Sequence, residues 1–342
     1  MALDPADTSD ELDESLDTSD HVLRSKWSCV QAGYVKDDFI EYIVKGKNRG
    51  PLHNILHFLR ISSIRLALKA FVDQFPEEDV QIVNFGCGFD TISLWILQHY
   101  RNVTCFDVDT PELLAKKARL MRKAEPIMRL FPAYRDLGNE YIITQRYKMV
   151  PVDLNRIEEV ETLVSKYKLR NDQPTLFLSE FALVYLPIDG SNKIIQFANQ
   201  LSTRPCCFVY WEQEMGNELH GSSAYQTIDS QIKRYTELGW EKVCIMDMNT
   251  LYNVLITDDE KRRIRKLECL DEIEEVAIVC RHYVIGICGK QADELPMIFD
   301  LFAKHRPKDV AKTYTTEEVR AMIKSGTLSQ MHPALLNTDW LS

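Results

Sequence analysis

The feature that most constrains this chain is Val80 to Asp90, VQIVNFGCGFD, an apolar run that stops in a Gly-x-Gly turn with an acid close behind. A strand buried on both faces of a parallel sheet reads as such a run. Glycines at its carboxyl end let the backbone bend tightly and approach a ligand that side chains would exclude. About twenty residues further on, a second apolar segment, Asn102 to Val108, ends among the acids Asp107 and Asp109, a position from which a carboxylate can grip both hydroxyls of a ribose. A lone Gly-x-Gly says little. Strand, turn, helix and strand-terminal acid in that order place a nucleotide-like cofactor at the turn.

The rest of the chain keeps the same rhythm. Apolar residues at helical spacing from His53 to Phe75 put Arg60 on a long helix ahead of the first strand. Helical patterns follow at Asp90–Gln98 and Glu112–Lys123, the second opened by Pro111 at the position proline favours. Further strands are predicted at Tyr147–Val152, Thr175–Leu178 and Cys206–Trp211, separated by helices over Ile157–Tyr167 and Asn192–Leu201. Parallel neighbours need crossover connections, so this alternation predicts a doubly wound α/β fold with a mostly parallel sheet. The later part predicts a polar helix at Tyr225–Leu238, a strand at Val243–Met246, a helical stretch from Arg262 to Val279 and a last strand at Tyr283–Cys288. Helical patches at Pro296–Ala303 and Thr316–Ile323 have no derivable role.

Bulk properties limit the function. At 342 residues and 45% hydrophobic, the chain can bury a full core. No apolar stretch reaches the length of a membrane span, and the acidic N-terminus is unlike a targeting peptide, so the expected address is cytoplasmic, without membrane contact. Met1 to Asp20 carries eight acids and no base and reads as a disordered tail. A formal charge of −10 argues against a nucleic-acid partner, which needs a basic face. The nine cysteines are scattered without a Cys-x-x-Cys pair and read as reduced, buried thiols. Cys87 in the glycine turn has no indicated histidine partner, and a small side chain suits the turn. His53 and His57 stand one helical turn apart, but no third ligand accompanies them, so no metal is expected.

The glycine turn, the acids and several flanking phrases together resemble the leucine carboxyl methyltransferase family. The resemblance spans roughly residues 25–290 and is carried by KWSCVQAGYVKDDFI (Lys26–Ile40), FLRISS (Phe58–Ser63), QIVNFGCGFDT (Gln81–Thr91), FDVDTP (Phe106–Pro111), VPVDL (Val150–Leu154), LSEFALVYL (Leu178–Leu186), YWEQ (Tyr210–Gln213), MDMNTLYN (Met246–Asn253) and LECLDEIEE (Leu267–Glu275). It implies a Rossmann-like class I fold dependent on S-adenosyl-L-methionine, with a helical N-terminal lid and C-terminal additions. The chain then divides into a tail (1–20), a methyltransferase domain (21–290) and an extension (291–342). The implied reaction is methylation of the C-terminal leucine carboxylate of the protein phosphatase 2A catalytic subunit by a monomer, leaving S-adenosyl-L-homocysteine. A second branch of the family makes wybutosine in tRNA and carries kelch repeats; no such repeats occur here, so the protein-carboxylate branch fits better.

Carried over position by position, Lys26 and Arg60 are expected to face the methionine carboxylate of the cofactor, and Gly86 to give close backbone approach. Asp109 is expected on the ribose, with Asp107 second; Asp153 and Leu154 match the adenine-binding pair. Glu180 matches an acid near the methionine amino group and sulfonium, and Tyr185 shares that rim; Arg60 and Tyr185 are the candidates for positioning the acceptor. Each has a plainer reading: Arg60 as a snorkelling helix residue, Asp109 as a helix N-terminal acid, Glu180 as a local cap, Tyr185 as core. A nicotinamide oxidoreductase shares the strand, turn and acid, but Asp90-Thr91 would crowd and repel a pyrophosphate. A small-molecule carboxylate methyltransferase and a non-catalytic phosphatase-binding scaffold are the remaining rivals.

Overall fold

The computed structural model describes residues 17–213, 225, 227–269 and 273–303. The chain opens with helix α1 (Asp17–Gln31), the single turn α2 (Ile40–Ile43) and the long α3 (Pro51–Val72). Proline at its first position starts α3, and thirteen of its residues, Arg60 among them, are buried. The alternating part follows as β1 (Val80–Phe85), α4 (Ile92–His99), β2 (Val103–Asp109), α5 (Pro111–Lys123), α6 (Glu125–Met128), β3 (Tyr147–Pro151), α7 (Ile157–Val160), α8 (Thr162–Ser165), β4 (Thr175–Glu180), α9 (Ile188–Leu201) and β5 (Cys206–Gln213). The last part comprises α10 (Ile228–Glu237), β6 (Lys242–Asp247), α11 (Met248–Leu255), α12 (Asp258–Ile264), α13 (Ile273–Cys280), β7 (Tyr283–Lys290) and α14 (Pro296–Ala303).

The seven strands form one sheet in the order β3-β2-β1-β4-β5-β7-β6. Five of them run parallel from β3 to β5, and β7 is antiparallel to both β5 and β6. All six residues of β1 are buried, as its unbroken apolar run requires of a central strand covered on both faces. On one face Val83, Phe85, Phe177, Phe208 and Tyr210 pack with Leu163 of α8, Ile194 and Ala198 of α9 and Tyr235 of α10. The rings of Phe85, Phe177 and Phe208 lie nearly parallel across three adjacent strands, with centroids 6.0–6.4 Å apart. On the other face α3, α4 and α5 cover the alternate residues: Arg60 lies over Trp211, and Asp107 of β2 meets Ser93 of α4 and Lys117 of α5. The result is a Rossmann-like, doubly wound, mostly parallel sheet.

Several boundaries differ from expectation, each for a local reason. Helix α1 begins at Asp17, inside the stretch read as tail; residues 1–16 lie outside the described residues. The predicted helix Ile157–Tyr167 is two single turns, and Lys168 after them has φ +63°. The predicted stretch Arg262–Val279 holds the separate α12 and α13. Helix α11, not foreseen, starts where Asp247 accepts the Thr250 N–H at 2.9 Å, a side-chain N-cap. Helix α14 buries Ile298, Phe299 and Phe302, so the compact unit runs to Phe302, past the Lys290 boundary. Residues from 304 onward lie outside the described residues, as does the helical patch expected at Thr316–Ile323. Among the described residues, no helix is long and apolar enough to cross a membrane.

Asp107 is wholly buried and serves the sheet. Its carboxylate accepts from Lys117 and from the Tyr147 hydroxyl, each at 2.7 Å, and from Ser93. Removing it would strand the Lys117 ammonium in the core, so Asp107→Ala should lower stability by about 3–5 kcal/mol in urea unfolding. Asp109→Ala, at the half-buried strand end, should cost about 1 kcal/mol. Equal midpoints for the two variants would contradict this division of roles.

Candidate active site

Register places four strand ends side by side. Phe85 is opposite Val108 and Ser179, and Asp109 is opposite Pro151, so the segments leaving β1, β2, β3 and β4 form one rim. Carboxyl-end rims of this kind are where open α/β sheets bind ligands. A cleft of about 310 Å³ opens there, lined by Lys26, Arg60, Gly86, Gly88, Asp90, Glu180, Phe181 and Tyr185 together with Asn84 and apolar residues of α1.

The glycine turn is stapled to β2. The Gly86 N–H donates to the Val108 carbonyl at 2.9 Å, and the Gly88 N–H donates to Asp109 Oδ2 at 2.8 Å. Both glycines have positive φ, +64° and +50°. Their reasons differ. A Cβ at Gly86 would sit 2.3 Å from Ala182 Cβ, so the space there belongs to the protein, whereas a Cβ at Gly88 would meet nothing within 4 Å. The open space is thus beside Gly88, two residues after Gly86, and both glycines line the cleft. Asp109 also accepts the Thr110 N–H through Oδ1 at 2.7 Å. Burial pushes its carboxyl above the usual carboxylate range, and the two N–H bonds pull back without cancelling it. Each oxygen keeps lone pairs for a further donor.

Two cations and two anions close the other side. The Lys26 ammonium, from α1, pairs with Asp90 and Glu180, and the Arg60 Nε, from α3, pairs with the same Glu180. Both cations are buried, at 5% and 6% exposure. Asp90 also accepts the Ile92 N–H at 2.7 Å, closing a turn just ahead of α4. Burial alone would raise the Asp90 carboxyl, but Lys26 and that N–H outweigh it and hold the group below its ordinary value. The Arg60 guanidinium lies 4.3 Å from the Trp211 ring centroid, a cation–π contact that fixes its plane. Glu180 is followed by Phe181 at φ +56°, a conformation costly for a residue with a side chain. It is held by a 2.8 Å bond from its N–H to the Trp211 carbonyl and by ring contacts with Tyr185 and Trp211 at 5.6 and 5.9 Å. Tyr185, 43% exposed, is the accessible aromatic of the group.

The cleft thus gathers Lys26, Arg60, Gly86, Glu180 and Tyr185. Asp109 lies against the turn rather than in the lining, and Asp153 and Leu154 stand at the neighbouring end of β3, outside the cleft. Asp153 is half-exposed and held below the usual range by the Asn155 N–H and side-chain amide, both at 2.9 Å. Leu154 reaches toward Gly86, its Cδ1 3.9 Å from where a Cβ there would lie. Sequence reasoning missed Asp90 as an ion-pair partner, although it sits in the turn motif, and missed Phe181 and Trp211, which the LSEFALVYL and YWEQ phrases contain. Burial raises the Cys87 thiol well above its ordinary value, and His57 Nδ1 lies 3.0 Å from the His53 carbonyl.

A family model described as leucine carboxyl methyltransferase matches residues 21–199. The chain is 26% identical over 287 residues to the leucine carboxyl methyltransferase 1 homolog of Arabidopsis thaliana, covering 78% of this chain and 86% of that protein. To leucine carboxyl methyltransferase 1 of Caenorhabditis elegans it is 27% identical over 302 residues, covering 78% and 89%. The tRNA wybutosine-synthesizing protein 4 of Schizosaccharomyces pombe is 29% identical over 298 residues, which cover 78% of this chain but 44% of that protein. With more than half its length matched, and with the strand-end cleft described above, the chain belongs to the leucine carboxyl methyltransferase family.

Proposed function

We propose that the protein transfers a methyl group from S-adenosyl-L-methionine to the C-terminal leucine carboxylate of the protein phosphatase 2A catalytic subunit, forming a methyl ester. The observation that carries this reading is the state of the cleft's ionisable lining. Lys26, Arg60, Asp90 and Glu180 are tied into one ion-pair network, and burial raises the Tyr185 hydroxyl above its ordinary range. Among the described lining residues there is no histidine, and both carboxylates are held by cations. A peptide α-carboxylate, with a pKa of about 3.3–3.7, has no proton to lose. Acceptors that must be deprotonated to react, such as amines or alcohols, would require a base.

The residues present suit the donor. Lys26 and Arg60 are cations available to its carboxylate, Glu180 and Asp90 are acids available to its amino group, and Asp109 offers lone pairs to ribose hydroxyls beside the open backbone of Gly88. Asp153 and Leu154, at the neighbouring end of β3, are the residues this reading assigns to the adenine. When bound, S-adenosyl-L-methionine supplies an electrophilic methyl group on a sulfonium, which leaves without acid assistance. What remains for the chain is positioning and exclusion of water. Arg60, its plane set by Trp211, and the half-exposed Tyr185 hydroxyl are the groups able to orient an incoming carboxylate; Phe181 gives that side an apolar surface. Alignment of this kind can supply on the order of 7–11 kcal/mol. The family's tRNA-linked relatives supply the competing acceptor, and the net charge of −10 weighs against it.

Three outcomes follow. Labelled methyl transfer to phosphatase core enzyme should give a base-labile product that disappears when the terminal leucine is deleted; label that survives the deletion, or that appears on tRNA instead, would overturn the acceptor. Asp109→Ala and Arg60→Ala should each lose at least about tenfold in donor affinity by calorimetric titration while remaining folded, since each removes a charged hydrogen-bond partner; parental affinity would remove that residue from the donor site. Because the acceptor is ionised throughout, kcat/KM should be flat from about pH 6 to 9. Donor affinity should fall on acidification, starting above the ordinary Asp value of about 3.9 because the Asp109 carboxyl is raised. A limb near pH 7 in kcat would signal a general base and contradict the mechanism.

A further inference from the structure

The acidic phrase Leu267–Glu275 is outside the cleft lining, yet its Glu268 ties together the helices that build the cleft. Glu268 Oε2 accepts the Asn54 Nδ2–H at 2.8 Å. Asn54, on α3, accepts the Ser28 hydroxyl through Oδ1 at 2.9 Å, and Ser28 Oγ accepts the Arg49 N–H at 2.7 Å. Asn54 and Ser28 are each 1% exposed. The Tyr34 hydroxyl bonds the same Glu268 carboxylate. Five residues before Glu268, Arg263 of α12 donates to the Gly33 carbonyl at 2.7 Å and to the Tyr34 carbonyl, just past the end of α1. Ser28 follows Lys26 by two residues on α1. The chain of bonds from Glu268 through Asn54 to Ser28 therefore ends on α1, the helix that carries the lysine paired with Asp90 and Glu180.

We propose that Glu268 is a positioning residue for the donor site: by holding Asn54, it seats α1 on α3 and so sets where Lys26 reaches into the cleft. This rests on the reading of the cleft as the donor site. The bond is charge-assisted, hence stronger than a neutral one, and its partner is a buried amide that loses its best acceptor when the carboxylate is removed. The effect on binding is transmitted through α1. A residue that merely stabilised the fold would lower kcat and donor affinity without regard to Lys26.

The test uses the full chain, with S-adenosyl-L-homocysteine titration and steady-state kinetics. Glu268→Ala should raise donor Kd and KM about tenfold while kcat stays within about twofold. Glu268→Gln, whose amide oxygen still accepts from Asn54, should recover to within about threefold of the parent. In a Lys26→Met background, adding Glu268→Ala should change Kd by less than about twofold, because the two act in series. If Glu268→Ala does not fold, Glu268→Asp, which withdraws the carboxylate by one methylene, carries the same three comparisons. Parental affinity in the folded variant, or losses that simply multiply in the double variant, would overturn the assignment of Glu268. A parent protein that fails to bind the homocysteine product at all would instead overturn the donor site.

Discussion

The structure around the cleft depends on one carboxylate shared by two cations. Glu180, at the end of β4, takes Lys26 from α1 and Arg60 from α3, and Asp90 at the start of α4 takes the other side of Lys26. A buried charge left without its partner costs several kcal/mol, whereas the same charge fully paired is close to neutral for stability. The four groups are therefore tolerable only together. Their main effect is to specify how the N-terminal helices sit against the strand ends, because any shift of α1 that withdrew Lys26 would leave Glu180 and Asp90 facing each other. The strained backbone at Phe181 belongs to the same arrangement: it turns the chain immediately after Glu180, and its ring contacts with Trp211 and Tyr185 keep it in that conformation.

The two acids of β2 show how far sequence could go. Asp107 and Asp109 differ by two, so in a strand they share a face, and no period distinguishes them. What separates them is how far the covering helices reach. Asp107 lies under α4 and α5, where Ser93, Lys117 and Tyr147 consume its capacity, while Asp109 lies one step beyond, over the glycine turn. The ordering of the two candidates came from the family resemblance, but its physical reason, a hydrogen-bonded Lys117 wholly inside the protein, required three-dimensional packing. The glycines behave alike. Both were visible as a turn, and only the structure shows that Gly86 yields its space to Ala182 and Gly88 to the cleft.

Elements whose signal is local and strong were legible. The apolar run of β1, the proline-opened α5 and the alternation that demands crossovers needed nothing beyond the chain itself, and all seven strands were located within about two residues, the uncertainty usual at element ends. Short helices were not. The turns α7 and α8 share one apolar period and were read as a single helix, and α11 rests on an Asp247 cap that propensity alone does not reveal. Contacts between distant parts of the chain left no mark at all: Asn54 and Glu268 are 214 residues apart, and nothing in either neighbourhood announces the other.

On the reading proposed above, the pairing within the cleft also bears on how binding is made inexpensive. Bringing a zwitterion into a partly buried site would ordinarily require stripping water from charges on both sides. Here Lys26 and Arg60 are already desolvated and already matched by Asp90 and Glu180, so an incoming carboxylate and amino group exchange partners within an existing network, with little further dehydration of the protein. The guanidinium of Arg60 does not need to be reoriented for this, since its contact with Trp211 is independent of which anion it faces. Preorganisation of that kind lowers the ordering cost of binding, and it leaves Phe181 and Tyr185, on the aromatic side of the cleft, available to the acceptor.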